Sequence, residues 1–226
     1  MGFPAAMNRS ATVAGTILLS LGFMTFSRPA NAQTSPSDPP TVPVLTLNTT
    51  VLASMQPGDD AYLGSPYLNS TLGGVGPGFG VGLTVMTFRG FAATAEFSTA
   101  RLRVMQSGRL LAGGRATGRL HDSLLSGLVG FGTSSRGLTQ VVLGGLSWVM
   151  DAPSLDNRSI DQPYDEKGRL GFTGGWDVSQ AVSRRVALGG NLRYSMVPRN
   201  AEAVRVGVGQ HVFRLGAGLH IRLRQP

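Results

Sequence analysis

The chain has 226 residues with no cysteine, only 14% charged residues, and glycine at 32 positions. That excludes a disulfide framework and a thiolate metal site, and the scarcity of Glu, Lys and Leu runs excludes an architecture of long helices. Basic residues outnumber acidic ones 20 to 12, and Lys167 is the single lysine among the arginines.

The first 32 residues read as a processing signal. Met1 to Ser10 holds one charge, Arg9, and Ala11 to Phe26 is almost continuously apolar. Ala30-Asn31-Ala32 then supplies the small residues of a cleavage site. The apolar run of about 16 residues, interrupted by Thr and Ser, is shorter than the ~20 a spanning helix needs. The expectation is a signal peptide over 1–32, cut to leave Gln33 first, and an exported chain. Residues 33–41 (QTSPSDPPT) form a flexible polar lead-in. A single domain fills 42–226.

Within that domain apolar residues recur with a period of two, the mark of a strand whose faces meet different surroundings. Val42 to Ala53 carries a weak alternation, and Met55 to Pro77 reads as a long loop. Gly78 to Phe88 sets Phe79, Val81, Leu83 and Val85 against Gly80, Gly82, Thr84 and Met86. Arg89-Gly90 signals a tight turn into Phe91–Leu102, so these runs form a hairpin. Arg103 to Leu120 reads as a second long loop. Asp122–Gly132, a turn over Thr133–Leu138 and Thr139–Met150 form the next hairpin. Asp151 to Lys167 is a third long loop, loaded with Asp and Pro. Gly168–Val178, a turn over Ser179–Arg184 and Arg185–Met196 make the third hairpin. Val197–His211 is the last connection. Val204, Val206 and Val208 in it alternate out of step with the final strand, which requires a bulge or a small extra hairpin. Val212–Arg222 closes the chain, with Phe213, Leu215, Ala217, Leu219, Ile221 and Leu223 on one parity and Arg214, Gly216, Gly218, His220 and Arg222 on the other.

The connections alternate long and short, which is the layout of an eight-stranded antiparallel up-and-down transmembrane barrel with short periplasmic turns and long external loops. If the apolar parity faces lipid, the other parity fills the lumen with Glu96, Asp177, Arg193, Arg214, His220 and Arg222. A barrel of this size has room inside for side chains alone, so these charges are expected to pair there, with lumen glycines leaving space for the arginines. Trp148 and Trp176 fall near opposite ends of their strands and suit interfacial belts. The opposite arrangement, a soluble periplasmic barrel with its apolar parity turned inward around an apolar ligand, is the alternative.

The signal peptide, the Gly-rich alternating strands, the second hairpin arm bearing Phe97, the entry His121-Asp122-Ser123-Leu124-Leu125-Ser126-Gly127 and the final run RLGAGLHIRL resemble small bacterial outer-membrane β-barrels of the outer membrane protein A/X type. The resemblance covers about 42–224. It implies a non-enzymatic protein of the bacterial outer membrane, structural, adhesive or loop-displaying, inserted by the barrel-assembly machinery, and a monomer is the expected state. One departure is the ending Leu223-Arg224-Gln225-Pro226, where such chains usually place an aromatic residue.

No residue pattern calls for a cofactor, a metal or a catalytic centre. His121-Asp122-Ser123 holds the residue types of a nucleophilic triad, yet consecutive strand residues point to opposite faces and cannot converge. A lipid-modifying outer-membrane hydrolase built on Ser and His is the remaining enzymatic alternative, without a supporting G-x-S-x-G motif. Gly73 to Gly82 resembles a phosphate loop in glycine content alone. Asp151, Asp156, Asp161, Asp165 and Glu166 lack the spacing of a calcium loop and read as a solvated surface. Arg103, Arg109, Arg115 and Arg119, beside Arg101 and without an acid among them, suit lipopolysaccharide phosphates, since arginine grips phosphate through paired donors. An exported chain with arginines at strand ends fits anionic lipid better than nucleic acid.

Overall fold

A computed structural model describes residues 43–58, 71–87, 89–107, 115–155, 168–198 and 209–223. They form eight strands: β1 (Val44–Gln56), β2 (Thr71–Met86), β3 (Phe91–Ser107), β4 (Arg115–Ser135), β5 (Leu138–Leu155), β6 (Arg169–Ala181), β7 (Val186–Met196) and β8 (His211–Arg222). Each pairs antiparallel with the next, and β1 pairs with β8 from Thr46↔Arg222 to Met55↔Phe213, so the sheet closes into a barrel. Closure leaves no unpaired edge.

Three short turns lie at one rim. Gly90 turns at φ +82°, with its N–H donating to the Thr87 carbonyl at 3.0 Å. Arg136 and Gly137 both take positive φ, 50° and 81°, the two-residue turn whose twist matches an antiparallel hairpin. Between β6 and β7, Ser183 Oγ accepts from the backbone N–H groups of Arg185 (3.3 Å) and Val186 (3.1 Å). The ends of the described barrel meet at the same rim, where Leu223 N–H donates to Leu45 O at 2.9 Å. The strand ends that the longer connections join all lie at the opposite rim.

Strands run further toward that rim than their sequence suggests. β1 reaches Gln56 and β2 starts at Thr71, so the glycine-rich stretch 73–82 is strand and not a phosphate loop. β3 continues to Ser107 and β4 begins at Arg115, which turns most of the expected Arg103–Leu120 loop into wall. β5 continues to Leu155, so Asp151 is a strand residue. The expected irregularity at Val204–Val208 lies outside the described residues. The reason for the misreading is general: a strand that emerges from an apolar environment keeps its period of two but loses its apolar half. Pro77 sits within β2 at a gap in the β2–β3 pairing between Val75↔Arg103 and Gly78↔Ala100, as befits a residue with no N–H to donate.

The two parities face opposite ways around the whole ring. Val51, Phe79, Leu83, Phe131, Val142, Phe172, Leu188 and Leu215 are exposed on the outer wall, Val51 to 74% and Phe131 to 69%. Trp148 and Trp176 also face outward, about half exposed. Inside lie Ser54, Asp122, Ser147, Thr173, Arg193 and Arg214, all buried. This removes the soluble barrel with an inward apolar face. From Phe213 to Leu223, at about 3.3 Å per residue and ~40° of tilt, the apolar stripe is about 25 Å tall.

The turn at Arg136-Gly137 yields a direct test. Gly137→Val, forced into a left-handed backbone, should cost about 1–2 kcal/mol. Gly174→Ala should be near neutral, since a Cβ there would meet nothing closer than Leu143 O at 4.0 Å. Urea titration of the refolded chain measures both.

Candidate functional site

The lumen is the most densely organised polar region of the described residues. Arg193, on β7, points inward between Glu96 on β3 and Asp177 on β6. Its Nε donates to Glu96 Oε1 at 2.9 Å and its Nη2 to Oε2 at 2.8 Å. Nη1 donates to Asp177 Oδ1 at 2.5 Å and Nη2 to Oδ2 at 3.1 Å. One guanidinium thus forks onto two carboxylates, the arrangement its planar donors favour. The Arg193 side chain is 5% exposed. Space for it depends on Gly175, where a Cβ would stand 2.7 Å from both Cδ and Nη1 of Arg193.

Arg214, on β8, joins a different partner. Its Nη2 donates to Asp122 Oδ2 at 2.7 Å and to the Asp122 carbonyl at 3.2 Å, while Nη1 donates to Ser98 Oγ. A third pair, Arg169 with Asp151, bridges the neighbouring strands β6 and β5. Between the ion pairs runs a chain of hydroxyls, Ser126–Ser147–Thr173–Ser195, with oxygens 2.6, 2.6 and 2.7 Å apart across β4 to β7. On the other wall Asn48 donates to Thr84 at 2.7 Å, and Thr84 bonds Thr94 at 2.9 Å.

Apolar layers flank this polar middle. Ala92, Leu128, Val141 and Leu143 pack with Met86 toward the short-turn rim, and Leu124, Val149 and Val197 pack toward the other. A cavity of about 20 Å³ remains beside Asn48, Glu96, Asp177, Asn191, Arg193 and His220, room for about one water molecule.

Among the residues singled out in the sequence, the structure therefore gathers Glu96, Asp177 and Arg193 into one cluster. Arg214 is inside but pairs with Asp122, a residue that stands out in the sequence only within the His-Asp-Ser run. His220 is half-buried, its ring over Gly189, where a Cβ would come within 2.5 Å of Nε2. Arg222 lies at the end of β8 opposite Thr46 and joins neither described cluster. Asp151, expected in a solvated acidic loop, is buried and ion-paired; Asp156, Asp161, Asp165 and Glu166 lie outside the described residues. His121 and Ser123 face outward while Asp122 faces inward. Of the loop arginines, Arg103 and Arg119 are exposed on the outer faces of β3 and β4, Arg115 starts β4, and Arg109 lies outside the described residues. Arg169 was legible from the parity it shares with Thr173 and Asp177, and the one signal for Asp122 was the parity it shares with Ser126. Leucines at 120, 124 and 128 on that same parity of β4 obscured it.

Neither a protein-family model nor a curated protein sequence matches the chain. Solved structures do. Outer membrane protein OprG from Pseudomonas aeruginosa superposes with a TM-score of 0.62 at 11% identity, covering 82% of this chain and 98% of that one. The chain has the fold of the small eight-stranded outer-membrane β-barrels. Neisserial surface protein A is also similar (TM-score 0.49, 11% identity, 78% of this chain and 97% of that one). So is Ail of Yersinia pestis, solved with the heparin analogue sucrose octasulfate (TM-score 0.47, 12% identity, 78% and 99%). At such identities the likeness concerns the fold alone.

Removing the central cation should expose the design of the lumen. Arg193→Met leaves Glu96 and Asp177 buried together without a partner and should cost about 3–5 kcal/mol. Adding Glu96→Gln and Asp177→Asn should recover much of that loss. Urea titrations of the three proteins measure it, and a loss below about 1 kcal/mol for Arg193→Met would mean a solvated cluster.

Proposed function

We propose that this chain is a non-enzymatic protein of the bacterial outer membrane, a monomeric barrel with a side-chain-filled lumen. It acts through its outer wall and the long connections of one rim, in contact with lipopolysaccharide. The observation that carries the reading is the inverted distribution of polarity. A continuous apolar wall about 25 Å tall matches the outward band of a membrane barrel, while water-facing proteins rarely expose apolar patches beyond a few hundred Å². The ion pairs and apolar layers inside support a structural role for the lumen over a conducting one. The closed ring supports a monomer, since no strand is left to recruit another. The signal-like N-terminus supports export, with insertion by the barrel-assembly machinery. Arginines on the outer wall support anionic lipid as the partner for the net charge of +8, and nucleic acid has no place in this setting.

Cell fractionation tests the reading. The protein should stay with the outer membrane through carbonate and urea washes, and the unheated protein should migrate differently from the boiled protein on a gel. Recovery in the soluble periplasmic fraction would contradict it.

A further inference from the structure

The outer faces of β3 and β4 change character at one height. From the short-turn rim they read Phe91, Ala93, Ala95 and Phe97 on β3, against Phe131, Val129, Gly127 and Leu125 on β4. Above these stand three cross-strand pairs: Thr99↔Ser123, Arg101↔His121 and Arg103↔Arg119. The three arginines and His121 are exposed. Side chains directly opposite each other on an antiparallel pair have Cβ atoms about 5 Å apart, and like charges placed so are destabilising. Arg103 and Arg119 are placed so, the row of Arg101 and His121 lies directly below them, and the sequence from Arg101 to His121 contains no acid. An anion between the rows turns that repulsion into attraction.

The histidine is held in position for this. Ser123 Oγ donates to Thr99 Oγ1 at 3.0 Å, and Thr99 Oγ1 stands 2.8 Å from His121 Nε2. This chain of hydrogen bonds ties the imidazole to the β3 wall through Nε2 and leaves Nδ1 without a part in it. Thr99 itself is only 9% exposed despite its outward parity.

The height of the patch identifies the ligand. The ten steps along β3 from Phe91 to Arg101 climb about 25 Å at ~3.3 Å per residue and ~40° tilt. Arg101 and His121 therefore stand at the upper edge of the apolar band, with Leu125 and Met150 exposed below and beside them. The patch also lies on the side of the wall, below the ends of β3 and β4, where a lipid arrives laterally and a soluble polyanion meets the rim first.

We propose that Arg101, Arg103, Arg119 and His121 form a binding site for the phosphate groups of a lipid in the leaflet on the long-connection side. The site is on the barrel wall and not in the loops. This rests on the membrane reading above and deepens it by naming the lipid chemistry and the residues.

The test uses the full chain refolded into phosphatidylcholine nanodiscs. It is titrated with bisphosphorylated lipid A, with lipid A stripped of its phosphates, and with inorganic phosphate. The bisphosphorylated lipid should bind at low salt, and binding should weaken as salt screens the contact. Loss of the phosphates, or the double substitution R101A/R119A, should weaken binding by about tenfold or more, as expected for lost charge-assisted contacts. R101K/R119K should keep part of the affinity, since lysine retains the charge without the paired donors. Heat-modifiable migration and nanodisc incorporation report separately whether each protein is an inserted barrel. A wild-type chain that fails to insert overturns the membrane reading itself. Where R101A/R119A does not insert, the single substitutions R101Q and R119Q are measured in its place. An inserted barrel that binds both lipid A forms equally, or whose R101A/R119A variant binds as the wild type does, overturns the site. Inorganic phosphate binding as tightly as the lipid would assign the site to a free anion and overturn the lipid assignment.

Discussion

Two arginines hold opposite walls of the barrel together. Arg193 reaches from β7 to β3, and Arg214 from β8 to β4, strands that stand four apart in a ring of eight. Burying such charges without partners costs several kcal/mol each, so their presence dictates what else the lumen holds. Glu96, Asp177 and Asp122 must face inward at matching heights. Gly175 must be glycine, because a Cβ would collide with the Arg193 side chain. Ser98 must offer a hydroxyl to the second guanidinium. The serines and threonines of β4 to β7 then complete the interior with bonds to one another instead of to water.

The same inversion governs the outside. In most proteins apolar side chains are driven inward by water; here the wall carries them outward, and the interior is secured by polar pairing with smaller apolar layers near each end. Such an object is consistent with a surrounding that is itself apolar, where only closed sheets and helices satisfy every backbone group. The aromatic residues refine the picture. Phe91 and Phe131 meet edge to face, with ring centroids 5.8 Å apart, near the short-turn rim. Tyr194 packs on Phe213 at 5.0 Å and bonds His211 at 2.8 Å toward the other. Trp148 lies over Gly168, where even a methyl group would run into the indole.

The barrel was legible because period two with a severe split, as in Phe213 to Leu223, fixes two faces, and because Arg89-Gly90 and the turn at 133–138 punctuate it. The extent of the strands was not. Arg103, Arg119 and Asp151 look like loop residues because polarity suggests a loop as readily as it suggests a strand outside an apolar layer. The weak alternation of β1 understated a strand that closes the ring against β8. β4 hid Asp122, because apolar side chains occupy both of its faces at Leu124-Leu125 and Leu128-Val129 and its parity cannot be read from composition alone. The cross-lumen pairing itself links residues 97 and 92 positions apart, a choice of partner that only the closed ring determines.

The membrane reading turns on which face of the wall meets lipid, and β8 reports it most directly. Spin labels placed one at a time from position 213 to 223, in the refolded chain in bilayers, can be probed with lipid-dissolved oxygen and a polar quencher. Labels at 213, 215, 217, 219 and 221 should be accessible to oxygen and protected from the polar quencher, while those at even positions should not share that profile. A reversed or flat pattern along the strand would contradict a membrane-spanning wall around a paired-charge interior.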